Sequence, residues 1–198
     1  MLEAPAVDAW APWSPLEIAT RLAGVDVPWC VAGGWALDLW LGRETRPHGD
    51  LEIAVPRASF GAIRNVFAAY ELFTAGDGEL VHLPHGTEPP GHRHQTWVLD
   101  PIARKWRTDV FLEPGDASTW VYRRDVLLCL PRKDAIAMAD GIPYLRPELV
   151  LLFKAKAMRE KDERDFAVAL PALDVSARQR LRRWLERFHP GHAWIARL

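Results

Sequence analysis

The chain has 198 residues, and 49% of them are apolar, which is enough to bury a core without disulfides or a structural metal. Its formal net charge of -1 excludes a global basic field of the kind that binds a duplex by bulk charge, but it allows a local basic pocket. The N-terminal segment lacks the basic start of a signal peptide, and no apolar run approaches the roughly 20 residues that span a bilayer. We therefore expect a cytoplasmic protein that makes no membrane contact.

The first part of the chain alternates helical and extended patterns after a loose arm over residues 1–13. Helical spacing and typical start and stop residues predict helices at 15–23, 35–41 and 57–68. Extended, apolar or alternating runs predict short strands at 28–32 and 50–55.

The middle of the chain predicts strands and the end predicts helices. Short runs between Gly, Pro and Asp residues indicate strands at 70–74, 79–82, 95–99, 107–112 and 119–123. From Lys133 onward the pattern is helical, with helices expected after Pro147, at 160–170 and at 176–188. The shift in composition near Pro131 predicts an α/β core over residues 1–130 and a small helical segment over 131–198 that packs on it.

Two acidic residues stand on one face of a predicted strand. In the run from Asp50 to Val55, the acids Asp50 and Glu52 alternate with apolar residues, so both project away from the core, with their Cα atoms roughly 6.5–7 Å apart. Paired carboxylates of this kind suit magnesium, which prefers oxygen ligands. Upstream, Gly33-Gly34 lies between a strand and a helix N-terminus, where backbone N–H groups can approach a phosphate.

Taken together, these motifs resemble a known signature. Residues 31–56, VAGGWALDLWLGRETRPHGDLEIAVP, are similar to the aminoglycoside adenylyltransferase-like branch of the nucleotidyltransferase superfamily. The segments WRTDVFLEP (106–114), TWVYRRD (119–125) and GIPYLRPELVLLFKAKAMREKDERDF (141–166) also resemble that group. The resemblance implies a minimal nucleotidyltransferase fold of the α/β (α+β) class, a mixed twisted sheet flanked by helices with a C-terminal helical segment.

The resemblance also implies a third carboxylate on a neighbouring strand, and Asp109 in Arg-Thr-Asp-Val-Phe fits. Asp50, Glu52 and Asp109 would then be both the metal ligands and the catalytic residues, with Asp109 either a ligand of Mg²⁺ or the general base. The co-substrate would be ATP or another NTP. Glu52 departs from the Asp of many relatives: it keeps a hard oxygen ligand on a side chain one methylene longer, and so changes the metal geometry that the resemblance implies.

Several basic residues are further candidates for the nucleotide site, together with Gly33 and Gly34. Arg46 and His48 precede the acids and could neutralise the triphosphate, although an exposed basic loop explains them equally well. Lys154 and Lys161 could reach the phosphates across a cleft, or they could belong to a charged exterior that braces the helices.

The sequence is compatible with more than one kind of acceptor. The first candidate is a hydroxyl-bearing small molecule similar to an aminoglycoside, for which acids are available at Glu79, Glu88, Glu113 and Asp116. A protein or a tRNA end is an alternative acceptor, as in toxin–antitoxin nucleotidyltransferases, and a non-catalytic nucleotide-binding module is a third reading. Four histidines are clustered between residues 82 and 94, namely His82, His85, His92 and His94. With Pro and Gly between them, they predict a loop over the acceptor pocket rather than a zinc site.

Overall fold

The computed structural model describes residues 2–198 and confirms a mixed α/β architecture, a twisted sheet flanked by helices. The strands are β1 (Cys30–Val31), β2 (Glu52–Pro56), β3 (Glu71–Gly76), β4 (Glu79–Leu83), β5 (Gln95–Asp100), β6 (Lys105–Glu113), β7 (Thr119–Val121), β8 (Cys129–Pro131), β9 (Ile136–Ala139) and β10 (Ile142–Leu145). The helices are α1 (Pro15–Arg21), α2 (Gly33–Leu41), α3 (Phe60–Val66), α4 (Arg132–Ala135), α5 (Pro147–Lys154), α6 (Glu160–Ala169) and α7 (Val175–Phe188).

Eight of these strands form one sheet in the order β4-β3-β5-β6-β2-β1-β10-β9, and β7 and β8 form a separate two-stranded ribbon. At the centre β2 runs parallel to β6, while β1 is antiparallel to β2 and parallel to β10. The parallel pair has a register that places Glu52 opposite Asp109. Two carboxylates from distant parts of the sequence therefore lie on the same face of the sheet.

The alternating pattern before and within β2 produces the expected faces. Leu51, Ile53 and Val55 are fully buried in the main core, while Asp50, just before the strand, and Glu52 are half-buried on the other face. Burial of the apolar face stabilises the strand without any contribution from the polar face. The acids on the polar face are therefore available for binding or catalysis.

Helix α2 follows β1 directly and ends where Gly42 takes a left-handed conformation. It packs against α5 and α6, and α5 in turn contacts α7. These C-terminal helices cover α2, so residues from the end of the chain are brought next to the Gly-Gly turn.

The loose arm predicted over residues 1–13 is wrong for its second half. The backbone of residues 9–13 hydrogen-bonds with Trp106 and Arg107 at the start of β6, and Trp13 is buried against Phe67. The physical reason is that β2 pairs only with the later part of β6, so the first residues of β6 need another backbone partner.

The helical pattern predicted from Lys133 onward is wrong at residues 136–145. These residues form the β9-β10 hairpin, whose turn has positive φ at both Asp140 and Gly141, as a type I′ turn requires. An Asp-Gly pair between apolar runs is a hairpin signal, and here it outweighs the helical spacing around it.

The division of the chain near residue 130 stays a prediction. It would place β9 and β10, two strands of the main sheet, in the C-terminal helical segment.

No helix within residues 2–198 combines the length and the apolar character needed to cross a bilayer.

Candidate active site

The three predicted carboxylates lie at the centre of the sheet. Glu52 and Asp109 are register partners on β2 and β6, and Asp50 lies two residues before Glu52. Asp109 is only 4% exposed; its Oδ2 accepts a hydrogen bond from Gln95 Nε2 at 2.6 Å, while its Oδ1 has no partner. The indole of Trp97, the neighbour of Asp109 across β5 and β6, also lies near enough to lower the pKa of this carboxyl. The site therefore contains one carboxylate oxygen held by Gln95 and a second, buried oxygen that makes no hydrogen bond of normal geometry.

Negative charge in this cluster is offset only in part by the nearby cations Lys154, Lys161 and Arg159. Burial raises the pKa of Asp109 well above its usual value, and the charge of Glu52 raises it further. Burial also raises the pKa of Glu52, followed by the charge of Asp50. Carboxylates that disfavour each other's ionised form are the environment in which a bound divalent cation is stabilised most.

The residues present fit a magnesium ion, although they are not arranged as a complete protein cage. Among residues 2–198, no three His, Cys, Asp or Glu side chains already converge at ligand distance from one point. Magnesium in nucleotide enzymes is typically held by one or two carboxylates together with water and substrate phosphates. Asp50, Glu52 and the Oδ1 oxygen of Asp109 meet that requirement.

Gly33 brings the backbone of α2 up against Glu52. It has φ +61°, which favours glycine, and a Cβ built on it would lie 1.9 Å from Glu52 Oε2, so any side chain there would displace the Glu52 carboxylate. No side chain caps the N-terminus of α2. The N–H groups of the first turn are therefore available to an anion, at the positive end of the helix dipole.

Gly34 lets two basic side chains pack against the same turn. A Cβ there would lie 2.6 Å from Arg46 Nη2 and from His48 Cε1. His48 also stacks on Trp35 and contacts the buried Asp38 through Nε2 at 2.6 Å. The segment between α2 and β2 is thus held against α2, and His48 makes part of that contact through Asp38 and Trp35.

The predicted phosphate-binding cations contact carboxylates of α6. Arg46 donates from Nε and Nη2 to Asp165 at 2.8 and 3.0 Å, and Lys154 Nζ lies 2.8 Å from Asp165 and 3.1 Å from Asp162. This network supports the bracing interpretation for Lys154, and it holds Arg46 against α6 rather than in an exposed loop. Lys161 makes no ion pair within the described residues, and it lies near enough to Glu52 to lower the pKa of that carboxyl.

A cleft of about 230 Å³ opens between the sheet and α5. Of the predicted site residues, Gly33, Glu52 and Lys154 line it. It also contains residues that the sequence did not single out, chiefly Gln95 and Arg123. Gln95 is placed by strand pairing that no local pattern reports, and Arg123 carries no signal that separates it from its neighbour Arg124.

The histidine cluster is dispersed in the structure. His82 contacts Glu71 at 2.8 Å, and His85 lies 3.9 Å from the same carboxylate. His92 is exposed, and His94 carries a buried Nδ1 without a partner. These four residues do not form a metal site in the part of the chain described.

Comparison with known proteins extends the assignment. A family model described as aminoglycoside-2''-adenylyltransferase matches residues 16–83. A crystal structure of ANT(2'')-Ia in complex with adenylyl-2''-tobramycin is 14% identical, with TM-score 0.57, over 88% of this chain and 98% of that chain. A lincomycin-bound crystal structure of the lincosamide antibiotic adenylyltransferase LnuA is 16% identical, with TM-score 0.52, over 77% of this chain and 91% of that one.

A solution structure of ANT(2'')-Ia gives a similar result, with 14% identity and TM-score 0.55 over 87% of this chain and 89% of the other. No curated protein sequence matches the chain. At such identities the solved structures establish the fold. The family model matches the part of the chain from α1 to β4, which includes the Gly-Gly turn and the acidic strand. These matches confirm the prediction from the sequence: the chain has the nucleotidyltransferase fold and resembles the aminoglycoside adenylyltransferase-like branch of that enzyme superfamily.

Proposed function

We propose that the protein is a magnesium-dependent nucleotidyltransferase that moves a nucleoside monophosphate, AMP from ATP in the first instance, onto a hydroxyl of a small molecule. The observation that carries this proposal is the pairing of Glu52 with Asp109 across two parallel strands, beside an uncapped helix N-terminus at Gly33. Carboxylates and a phosphate cradle are then adjacent, as the transfer of a nucleotidyl group requires.

The residues have separate tasks in the proposed reaction. The N–H groups at the start of α2 and the side chain of Lys161 bind the triphosphate, while Asp50 and Glu52 hold Mg²⁺. When bound, Mg²⁺ would neutralise phosphate charge and make the α-phosphorus more electrophilic. Asp109 accepts the hydroxyl proton on Oδ1 or shares the cation, with Gln95 fixing its other oxygen.

The bond changes follow from this arrangement. The acceptor oxygen forms a bond to the α-phosphorus, and the bond from the α-phosphorus to the bridging oxygen breaks. Pyrophosphate leaves on the side of Gly33, where backbone N–H groups receive its charge. The acceptor proton passes to Asp109, the buried carboxylate beside the two proposed magnesium ligands.

The relatives indicate which acceptors to test first. The matching family model and a structural neighbour concern aminoglycosides, and a second neighbour concerns a lincosamide. An aminoglycoside-like antibiotic is therefore the first candidate, and a lincosamide is the second.

The experiment measures transfer and binding in matched variants. The protein is incubated with Mg²⁺, each NTP and a panel of hydroxyl-bearing acceptors, and products are analysed by mass for an added nucleotide. Asp50→Asn and Glu52→Gln should abolish transfer with little change in melting temperature. Asp77→Asn is the control, because Asp77 is 79% exposed in a turn and Asn also tolerates its positive φ. Full activity in Asp50→Asn would overturn the proposal.

A further inference from the structure

Cations near the acidic cluster are held by carboxylates of α6. Arg46 donates to Asp165, and Lys154 contacts the same carboxylate. Asp162 contacts Lys154 too and pairs with Arg159, which lines the cleft beside Lys154. A triphosphate would have to compete with these carboxylates for each positive charge. A further cation in the cleft, without a carboxylate partner, would bind a triphosphate without that competition.

Arg123 lines the cleft together with Gly33 and Glu52 and is a cation of this kind. Its guanidinium carbon lies 5.4 Å from the ring centre of Phe111 and 5.7 Å from that of Phe153, so two aromatic rings position the half-buried group. Within residues 2–198 it makes no ion pair with a carboxylate and donates no hydrogen bond. Its N–H groups are therefore available for the two-point contact that a phosphate accepts.

The register of the central strands places Arg123 beside the acidic cluster. Phe111 lies two residues after Asp109 on β6, on the same face of the strand, and is paired with Ala54 of β2. Two residues of a strand correspond to roughly 7 Å, so the ring beside Arg123 is one such step from the Glu52–Asp109 pair. Burial lowers the pKa of Arg123, and the nearby charges of Asp109 and Glu52 act in the opposite direction. Arg123 therefore belongs to the same site as the proposed magnesium ligands.

A second guanidinium adds to the positive charge at this position. Arg124 also lines the cleft, but it is exposed, and its Nη1 donates to the carbonyl oxygen of Phe153 at 2.8 Å. After burial, the charge of Arg124 is the next cause that lowers the pKa of Arg123, so the two groups are close. Adjacent cations that repel each other are stabilised by an anion bound between or beside them.

The proposed reaction brings one anion into this cleft, the triphosphate of the NTP. The acceptors to be tested first, an aminoglycoside and a lincosamide, offer hydroxyl and amino groups and no anionic group. With Glu52 and Asp109 ligating Mg²⁺, the counter-ion that remains for Arg123 is a phosphate of the nucleotide.

We propose that Arg123 is a nucleotide-binding residue whose guanidinium contacts a phosphate of the Mg-NTP complex. Phe111 and Phe153 position the guanidinium for this contact. During transfer Arg123 stabilises negative charge on the phosphate that it contacts, whether this is the α-phosphate or the departing pyrophosphate. The inference rests on the proposed nucleotidyl transfer, and it adds a side chain to the backbone N–H groups at Gly33 and to Lys161.

Calorimetric titration of the whole chain measures this contact without turnover. Wild type, Arg123→Gln and Arg123→Lys are titrated with the NTP that wild type binds most tightly, ATP in the first instance, in the presence of Mg²⁺. We expect Arg123→Gln to weaken binding of Mg-ATP about 10- to 100-fold, because a charge-assisted hydrogen bond is lost. Arg123→Lys should retain part of the affinity, since it keeps the charge without the two-point geometry.

Smaller ligands identify the phosphate that Arg123 contacts. AMP and pyrophosphate are each titrated in competition with Mg-ATP, in wild type and in Arg123→Gln. A loss of affinity for AMP in the variant assigns the contact to the α-phosphate. A loss of affinity for pyrophosphate assigns it to the β- and γ-phosphates.

Salt and a matched variant separate a phosphate contact from a packing role. The difference in Mg-ATP affinity between wild type and Arg123→Gln should be smaller at about 0.5 M NaCl than at about 0.05 M, because salt screens the charge. Lost packing against Phe111 and Phe153 would not depend on salt in this way. Arg182→Gln is the control, because it removes a guanidinium from an exposed pair with Glu186 on α7 and should leave the affinity unchanged. Melting curves establish that each variant is folded.

Unchanged binding of Mg-ATP in Arg123→Gln would overturn the inference while the proposed transfer stands. Weaker binding of Mg-ATP with unchanged binding of both AMP and pyrophosphate would also overturn it, because Arg123 would then contact the nucleoside. A loss that is independent of salt and equal in Arg123→Lys would leave Arg123 a packing role alone. If wild type binds no NTP in the presence of Mg²⁺, the proposed transfer itself fails, and the inference fails with it.

Discussion

Substitution of Gly33 by alanine tests the contact between the start of α2 and the acidic cluster. Gly33 has φ +61°, and an alanine in this left-handed region costs roughly 1–2 kcal/mol. The added Cβ would also lie 1.9 Å from Glu52 Oε2, so the Glu52 side chain must leave its position. The substitution therefore combines a backbone cost with displacement of a proposed magnesium ligand.

Gly42 supplies a matched control for the backbone cost. It has φ +67° at the other end of the same helix, and no atom lies within 4 Å of an added Cβ. We expect Gly42→Ala to lower the free energy of unfolding by about 1–2 kcal/mol, and hence the melting temperature by about 2–8 °C, while binding of Mg-ATP is unchanged. Gly33→Ala should lose at least as much stability and also lose binding of Mg-ATP.

Thermal unfolding and calorimetric titration with Mg-ATP measure the two effects. In a Glu52→Ala background the clash is absent, so Gly33→Ala should cost only what Gly42→Ala costs. The reasoning is refuted if Gly33→Ala matches Gly42→Ala in both stability and nucleotide binding.

Three further predictions concern buried acids. Asp38→Ala removes the carboxylate that contacts His48. Because buried polar groups then lose their partner, the free energy of unfolding measured in urea should fall by about 2–4 kcal/mol. Burial raises the pKa of Asp165, but the hydrogen bond from Arg46 and the charge on nearby Lys154 bring it below its usual value, so its stabilisation is present above about pH 4 and is lost as the pH falls further. The stability difference between wild type and Asp165→Asn should accordingly be larger at pH 7 than at pH 3, and an equal difference would contradict this. Asp109→Asn should slow transfer at least about 100-fold while Mg-ATP still binds in calorimetry, and near-normal transfer would remove the proposed base.

Local patterns in the sequence predicted the acidic strand because the alternation from Asp50 to Val55 needs only the period of a strand. The same applies to Gly33, which stands between an apolar run and a helical pattern. The position of Asp109 opposite Glu52 depended on the family resemblance, since strand pairing over such a separation leaves no mark in either segment.

The contacts of the basic residues could not be predicted in this way. Arg46 contacts Asp165, 119 positions later, and this pairing exists only because α6 packs near α2. Arg123 becomes distinctive only through the rings of Phe111 and Phe153 on either side of it. By contrast, the hairpin at Asp140-Gly141 had a readable local signal, and the helical spacing around it concealed that signal.

Mass analysis of products formed from ATP and Mg²⁺ tests the central claim most directly, with wild type, Asp50→Asn and the Asp77→Asn control compared against the same acceptor panel. Wild type and the control should produce an acceptor heavier by one AMP together with pyrophosphate, and Asp50→Asn should produce neither. Equal product from Asp50→Asn and wild type would contradict the assignment of Asp50 and Glu52 as the magnesium-binding pair.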